Sequence, residues 1–216
     1  MMKKRTIALL MVAVMLFAVV TGSTIAWLTT KSETVTNTFT VGDINISLDE
    51  TNIDGTSPAR DTANAYKMIP GQKYVKDPIV HVQSGSEPCY VFVKVTETNN
   101  TLGEGKVIQY EINDGWVSVG DNVYMYGSDV NTPTVVDALN KTSGYVDTTS
   151  VLAFLDDDTN NITINETLTK TTLDAMDDGT TAKPELKFVA CAIQSANIEI
   201  TDAINQAKML LNSTTP

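Results

Sequence analysis

Few residues in this chain of 216 could do chemistry. There is one histidine, His81, and there are two cysteines, Cys89 and Cys191. A single histidine excludes every site that needs two, the HExxH zinc proteases among them, and a Ser-His-Asp triad would have to be built on His81. Catalytic zinc wants three protein ligands, and one histidine with two distant cysteines is a poor donor set. His81 lies in a strand-like run with Ile79 and Gln83, where the plain reading is a solvent-facing strand residue. In an exported chain Cys89 and Cys191 can form a disulfide. It would close a loop of about a hundred residues, worth ~4–5 kcal/mol by loop entropy. Two buried or half-buried thiols suit the same positions, because Cys89 alternates with Val91, Val93 and Val95, and Cys191 with Lys187, Val189 and Ile193. Asp156-Asp157-Asp158, Asp177-Asp178 and Asp49-Glu50 offer hard oxygen ligands for Ca²⁺, but none has the spacing of an EF-hand loop, and solvated acidic loops look the same. Trp116, Tyr124 and Tyr126 could stack on a sugar or pack in a sheet. With 26 acidic residues almost any carboxylate pair can be drawn, so none is singled out for glycoside hydrolysis. These residues read as a non-enzyme, with no cofactor expected beyond Ca²⁺ at the acidic loops.

The elements that would position such residues are strands. The chain is 42% hydrophobic and 6% aromatic, enough apolar content for a core. It carries 31 threonines, which with Val and Ile favour strands. Fifteen basic against 26 acidic residues give a net charge of −11, which excludes the basic footprint of a nucleic-acid binder. Lys3, Lys4 and Arg5 precede an apolar run from Ile7 to Val20, followed by small and polar residues to Ala26. This is the pattern of a secretory signal peptide cut between Ala26 and Trp27, and the run is short of the ~20 apolar residues that span a bilayer. Residues 1–26 are thus expected to leave a mature domain, 27–216. Its only membrane contact would be through the uncleaved signal. No second apolar span and no LPxTG-like wall-sorting signal is present, which predicts a product released or held at the surface by other proteins.

Along the mature chain, Val35, Phe39 and Val41 share one face. After Gly42-Asp43 the phase shifts to Ile44, Ile46 and Leu48. Residues 49–65 read as a loop. Strands are predicted at 79–82 and 89–95, and a hairpin of 107–112 with 116–119 around Asn113-Asp114-Gly115. A further strand is predicted at 122–126, and a clear one at 186–194. Residues 135–139 and 149–155 suit short helices or strands, and 161–168 alternates like a strand. Thr201 or Asp202 would cap a C-terminal helix with Ala203, Ala207, Leu210 and Leu211 on one side. Eight to ten short strands predict an all-β fold, an antiparallel jelly-roll-like sandwich with short helices in an insertion and at the C terminus.

Three segments resemble the TasA/camelysin family of secreted biofilm-matrix proteins of Gram-positive bacteria. The first is Gly22 to Thr29 followed by Asn37-Thr38-Phe39 and Gly42-Asp43-Ile44. The second is Ile69-Pro70-Gly71, Lys76 to Val80 and Tyr90 to Val95. The third is Val189 to Gln194. Residues 127–182 have no counterpart. The resemblance implies export through that family's dedicated signal peptidase and a jelly-roll subunit of extracellular fibres. The N-terminal strand of one subunit would complete the sheet of the next. Residues 27–41, extended and free of proline and glycine, suit that donor role, with Leu28, Val35, Phe39 and Val41 entering a neighbour's groove. The partners implied are further copies or related matrix proteins, at the cell surface or in the matrix. Two rivals stay open: a monomeric surface adhesin of the same fold, which predicts an exposed aromatic patch, and a camelysin-like metalloprotease, which predicts bound metal.

Overall fold

The computed structural model describes residues 43–53, 55, 58–103, 105–138, 150–156 and 162–213. The signal segment 1–26, the Ala26/Trp27 cleavage pair and the donor positions Leu28, Val35, Phe39 and Val41 lie outside the described residues. Eleven strands are β1 (Ile46–Thr51), β2 (Arg60–Asp61), β3 (Lys73–Tyr74), β4 (Ile79–Val82), β5 (Cys89–Thr98), β6 (Ile108–Tyr110), β7 (Trp116–Gly120), β8 (Val123–Tyr126), β9 (Ser150–Ala153), β10 (Ile162–Ile164) and β11 (Glu185–Gln194). The helices among the described residues are α1 (Lys170–Asp177) and α2 (Ile200–Asn212). The chain is an antiparallel β-sandwich, and its short helices fall in the 127–182 region and at the C terminus, as the composition and alternation predict.

One layer has the order β2-β1-β4-β9, and a bridge between Ile112 and Leu155 links it to β3-β10-β6. The other layer is β11-β5-β8-β7. Period-two alternation sends Val91, Val93 and Val95 of β5, Val80 and Val82 of β4, and Ile162 and Ile164 of β10 into the shared core. Phe154 is fully buried at its centre and meets Trp116, Tyr124 and Phe188 edge-on, with ring centroids at 5.1, 5.6 and 5.7 Å. The opposite face of β5 and β8 is buried too. There Phe92, Val123, Met125 and Ile193 pack under Ala203, Ala207 and Leu211 of α2. Lys94 of β5 donates from Nζ to Asn212 Oδ1 at the helix end, at 2.6 Å. That double burial is why the β5 sequence is apolar on both faces.

Several expectations are corrected. Residues around Asn113-Asp114-Gly115 do not form a hairpin: β6 pairs with β10, while β7 belongs to the other layer. The turn carries the chain between layers, with Trp116 N donating to Asn113 O. The tight hairpin is β7–β8, closed by Asp121 and Asn122 at φ of 59° and 56°. Two consecutive positive φ values are what a primed two-residue turn requires. A register shift lies between Ser118 and Gly120 of β7. The expected loop 49–65 includes β2, which folds back on the end of β1 with Glu50 opposite Asp61. Residues 150–153 form β9, whereas Val136 makes only an isolated bridge to Cys89. Helix α1, capped by the Thr169 side chain accepting from Thr172 N, lies in the 127–182 region but outside 135–139 and 149–155, the stretches whose pattern suits a short helix or strand. Glu199, not Thr201 or Asp202, occupies the N-cap of α2, and Leu210 is 56% exposed while Ala203, Ala207 and Leu211 are buried.

Candidate functional site

The feature with the clearest capacity to act is a groove of about 880 Å³ that runs beside β11. Its walls come from β1, the segment 61–66, and Lys183–Ala190; Met68, Ile108, Ile162 and Ile164 supply apolar floor. Among the described residues β11 has a single strand neighbour, β5, and no strand among them pairs with its other edge over ten residues. The effect on burial is direct. Val91, Val93 and Val95 of the interior strand β5 are 0 to 2% exposed. Leu186, Phe188, Ala190 and Ala192 point into the same core from β11 but are only half-buried. β1 approaches β11 with Cα atoms within 8 Å, and among the described residues its residues 46–49 pair only with β4.

Two charged residues are buried in this groove. Lys76 Nζ donates to Glu50 Oε2 at 2.7 Å, with both side chains 9% exposed. The ammonium also lies 5.2 Å from the ring centroid of Tyr66 and 5.4 Å from that of Phe188 on β11. At the rim, Arg60 of β2 binds the Asp49 carboxylate through Nε and Asp77 Oδ2 through Nη1 at 2.9 Å. Nη2 donates to the carbonyls of Asp49 and Asp77. The His81 ring meets Asp49 Oδ1 at 3.1 Å, and Thr51 donates to Asp77 from both N and Oγ1. Burial raises both carboxyls, but the bonds from Arg60 and His81 to Asp49, and from Thr51 and Arg60 to Asp77, outweigh it and leave each below its ordinary value. This clasp fixes the strap after β1 and so shapes the groove mouth. A second polar cluster joins Glu97 to Lys106, Tyr110 and Asn100 and closes the 98–108 turn.

The residues that could do chemistry are scattered. His81 is half-buried and bonded to Asp49 rather than facing solvent. Cys89 and Cys191 are free thiols, and the disulfide alternative is corrected. Cys89 stands opposite Gln194 and Cys191 opposite Phe92, an odd offset that puts the sulfurs on opposite faces of the sheet. Cys89 packs in the sandwich core and Cys191 beside α2. Burial pushes their thiols up to about 11 and about 12. Trp116 is 6% exposed and donates from Nε1 to Ala153 O at 2.8 Å, with Tyr126 edge-on at 5.2 Å, so these aromatics form core and not a sugar platform. Among the acidic runs, Asp49 and Glu50 are ion-paired on β1, Asp177 and Asp178 end α1, and Asp157 and Asp158 lie outside the described residues. Among the described residues no three His, Cys, Asp or Glu side chains are grouped to hold a metal ion.

The sequence reading missed the groove itself and the Lys76–Glu50 pair. Nothing local in the sequence signals that Lys76 will be buried. The alternation at 186–194 predicts the strand that becomes β11, but edge position is a property of sheet order. No protein-family model, no curated protein and no solved structure matches the chain.

Proposed function

We propose that this protein is a secreted structural subunit of extracellular biofilm-matrix fibres, in which residues 27–41 of one subunit add as a strand to the next. The observation that carries this reading is the ten-residue edge of β11, unpaired among the described residues, beside a groove with an apolar floor. An added strand would satisfy the edge hydrogen bonds and cover the half-buried inward residues of β11. The sequence of 27–41, with Val35, Phe39 and Val41 in alternation and no proline or glycine, suits such a strand. The protein is read as a non-enzyme: His81, Cys89 and Cys191 serve the clasp and the two cores. Further copies, or related matrix proteins, are the partners.

The test is electron microscopy and sedimentation of the chain from Trp27 onward, with and without residues 27–41, across salt concentrations. Removing the signal segment takes away three positive charges and no acids, so −11 becomes −14. Like-charged subunits repel, so salt should promote assembly. Fibres from the intact chain and folded monomers from the truncated one are expected. Fibres from both would refute strand donation.

A further inference from the structure

We propose that Asn37 sets the register of the donated strand by hydrogen-bonding the Lys76–Glu50 pair in the groove of a second copy, an inference that rests on the strand-addition reading above. In an extended segment Val35, Asn37, Phe39 and Val41 share one face. Three of the four are apolar and one is an amide. An amide pressed into an apolar groove opposes docking unless it finds partners.

The groove holds one buried polar step. Glu50 and Lys76 are each 7% exposed, and apolar Leu48, Met68 and Ile164 line the same groove. Lys76 occupies Glu50 Oε2, and no bond is made to Oε1 among the described residues. No buried side-chain oxygen or nitrogen among them lacks a partner, so Oε1 keeps contact with solvent, and Glu50 lines the groove. A carboxamide fits that step: its N–H donates to Glu50 Oε1 and its carbonyl accepts from a remaining Lys76 N–H. Residues two positions away stand about 7 Å to either side, which places Val35 and Phe39 over apolar floor. A slip by one residue would instead present threonines.

The chain's own course favours a second copy as the source. Residues 43–45 continue the line of β1 and are held there, with Gln83 N donating to Asn45 O, Asn45 N to Ser86 Oγ and Glu87 N to Asp43 O, at 2.8, 3.0 and 2.9 Å. The described chain therefore begins beside the β4–β5 turn, at the end of β1 away from Glu50. The 15 residues from 27 to 41 extend about 50 Å, ample for the ~33 Å of β11.

The experiment measures the critical concentration for fibre formation by sedimentation, with microscopy, for the chain from Trp27 onward. Asn37→Ala should raise it about tenfold, since the lost bonds are to charged groups. Asn37→Asp, which sets a carboxylate beside Glu50, should raise it further. In a Glu50→Leu/Lys76→Met background the order should invert, with Asn37→Leu assembling at a lower concentration than Asn37. If that background fails to fold by circular dichroism, the Ala and Asp comparison decides alone. Wild-type assembly by Asn37→Ala, beside loss of fibres on deleting 27–41, overturns the register role and leaves strand donation standing. Unchanged assembly by the deletion overturns strand donation itself. A chain that stays monomeric, with Asn37 and Glu50 coupled in its thermal stability, places the segment in its own groove and overturns the second copy.

Discussion

Replacing Lys76 by methionine should be among the most damaging conservative-volume changes in the protein. The ammonium sits 2.7 Å from Glu50 Oε2, with both side chains 9% exposed. At an effective dielectric of ~20 that separation is worth about 6 kcal/mol of attraction. Against it stands the cost of taking two ions out of water, several kcal/mol each. The pair is therefore close to neutral as a whole, yet either half alone is strongly unfavourable. Lys76→Met strands the Glu50 carboxylate and also removes the ammonium from the Tyr66 and Phe188 rings. A loss of about 3–5 kcal/mol follows. Glu50→Leu should cost a similar amount for the mirror reason. The double variant should return to within ~1 kcal/mol of wild type or exceed it by up to ~4. Urea unfolding followed by far-UV circular dichroism gives all four free energies and hence the coupling. Additive single effects, or a Lys76→Met loss below ~1 kcal/mol, would refute the reasoning, because Glu50 would then be solvated without its partner.

The Asp49 and Asp77 carboxyls lie below their ordinary 3.8 in the folded state, so their contribution to stability is complete above that value and is lost as pH falls through it toward the folded values. Arg60→Ala should flatten that acid limb in a pH series of urea midpoints, and an unchanged limb would count against the clasp. Native Cys89 and Cys191 should resist a thiol reagent at pH 8 and both react in denaturant, since burial pushes them to about 11 and about 12; an intact mass two daltons low under oxidising conditions would instead report a disulfide. Gly127 has φ of 139°, and a Cβ there would stand 2.9 Å from Thr134 N, so Gly127→Ala should destabilise by about 1–3 kcal/mol in urea unfolding.

The sandwich was legible because strand alternation is local. Val91, Val93 and Val95, Ile44, Ile46 and Leu48, and the run from Leu186 to Gln194 each declare a buried face with a period of two. What failed depended on pairing across the chain. Asn113-Asp114-Gly115 has the chemistry of a hairpin turn, yet β6 finds its partner more than fifty residues later in β10. The hairpin that does form uses Asp121-Asn122, where two asparagine-like residues tolerate positive φ. Leu210 fitted the apolar stripe of α2 in sequence, but the sheet it covers is narrow and leaves that position outside. The groove was invisible because a buried lysine and an unpaired edge are consequences of sheet order, not of neighbouring residues.

The two edges of the β11-β5-β8-β7 layer are unlike, and this gives the layer a polarity. β11 offers ten residues in unbroken register with its neighbour. β7 offers five, interrupted by the shift between Ser118 and Gly120, and an irregular edge of that kind is a poor template for a further strand. Between them α2 lies over β5 and β8, so two such layers cannot stack flat on that side. In the proposed fibre, one receptive margin, one blunted margin and a roofed face would direct growth along a single line, and thin unbranched filaments rather than bundles or plates are the form that proposal predicts.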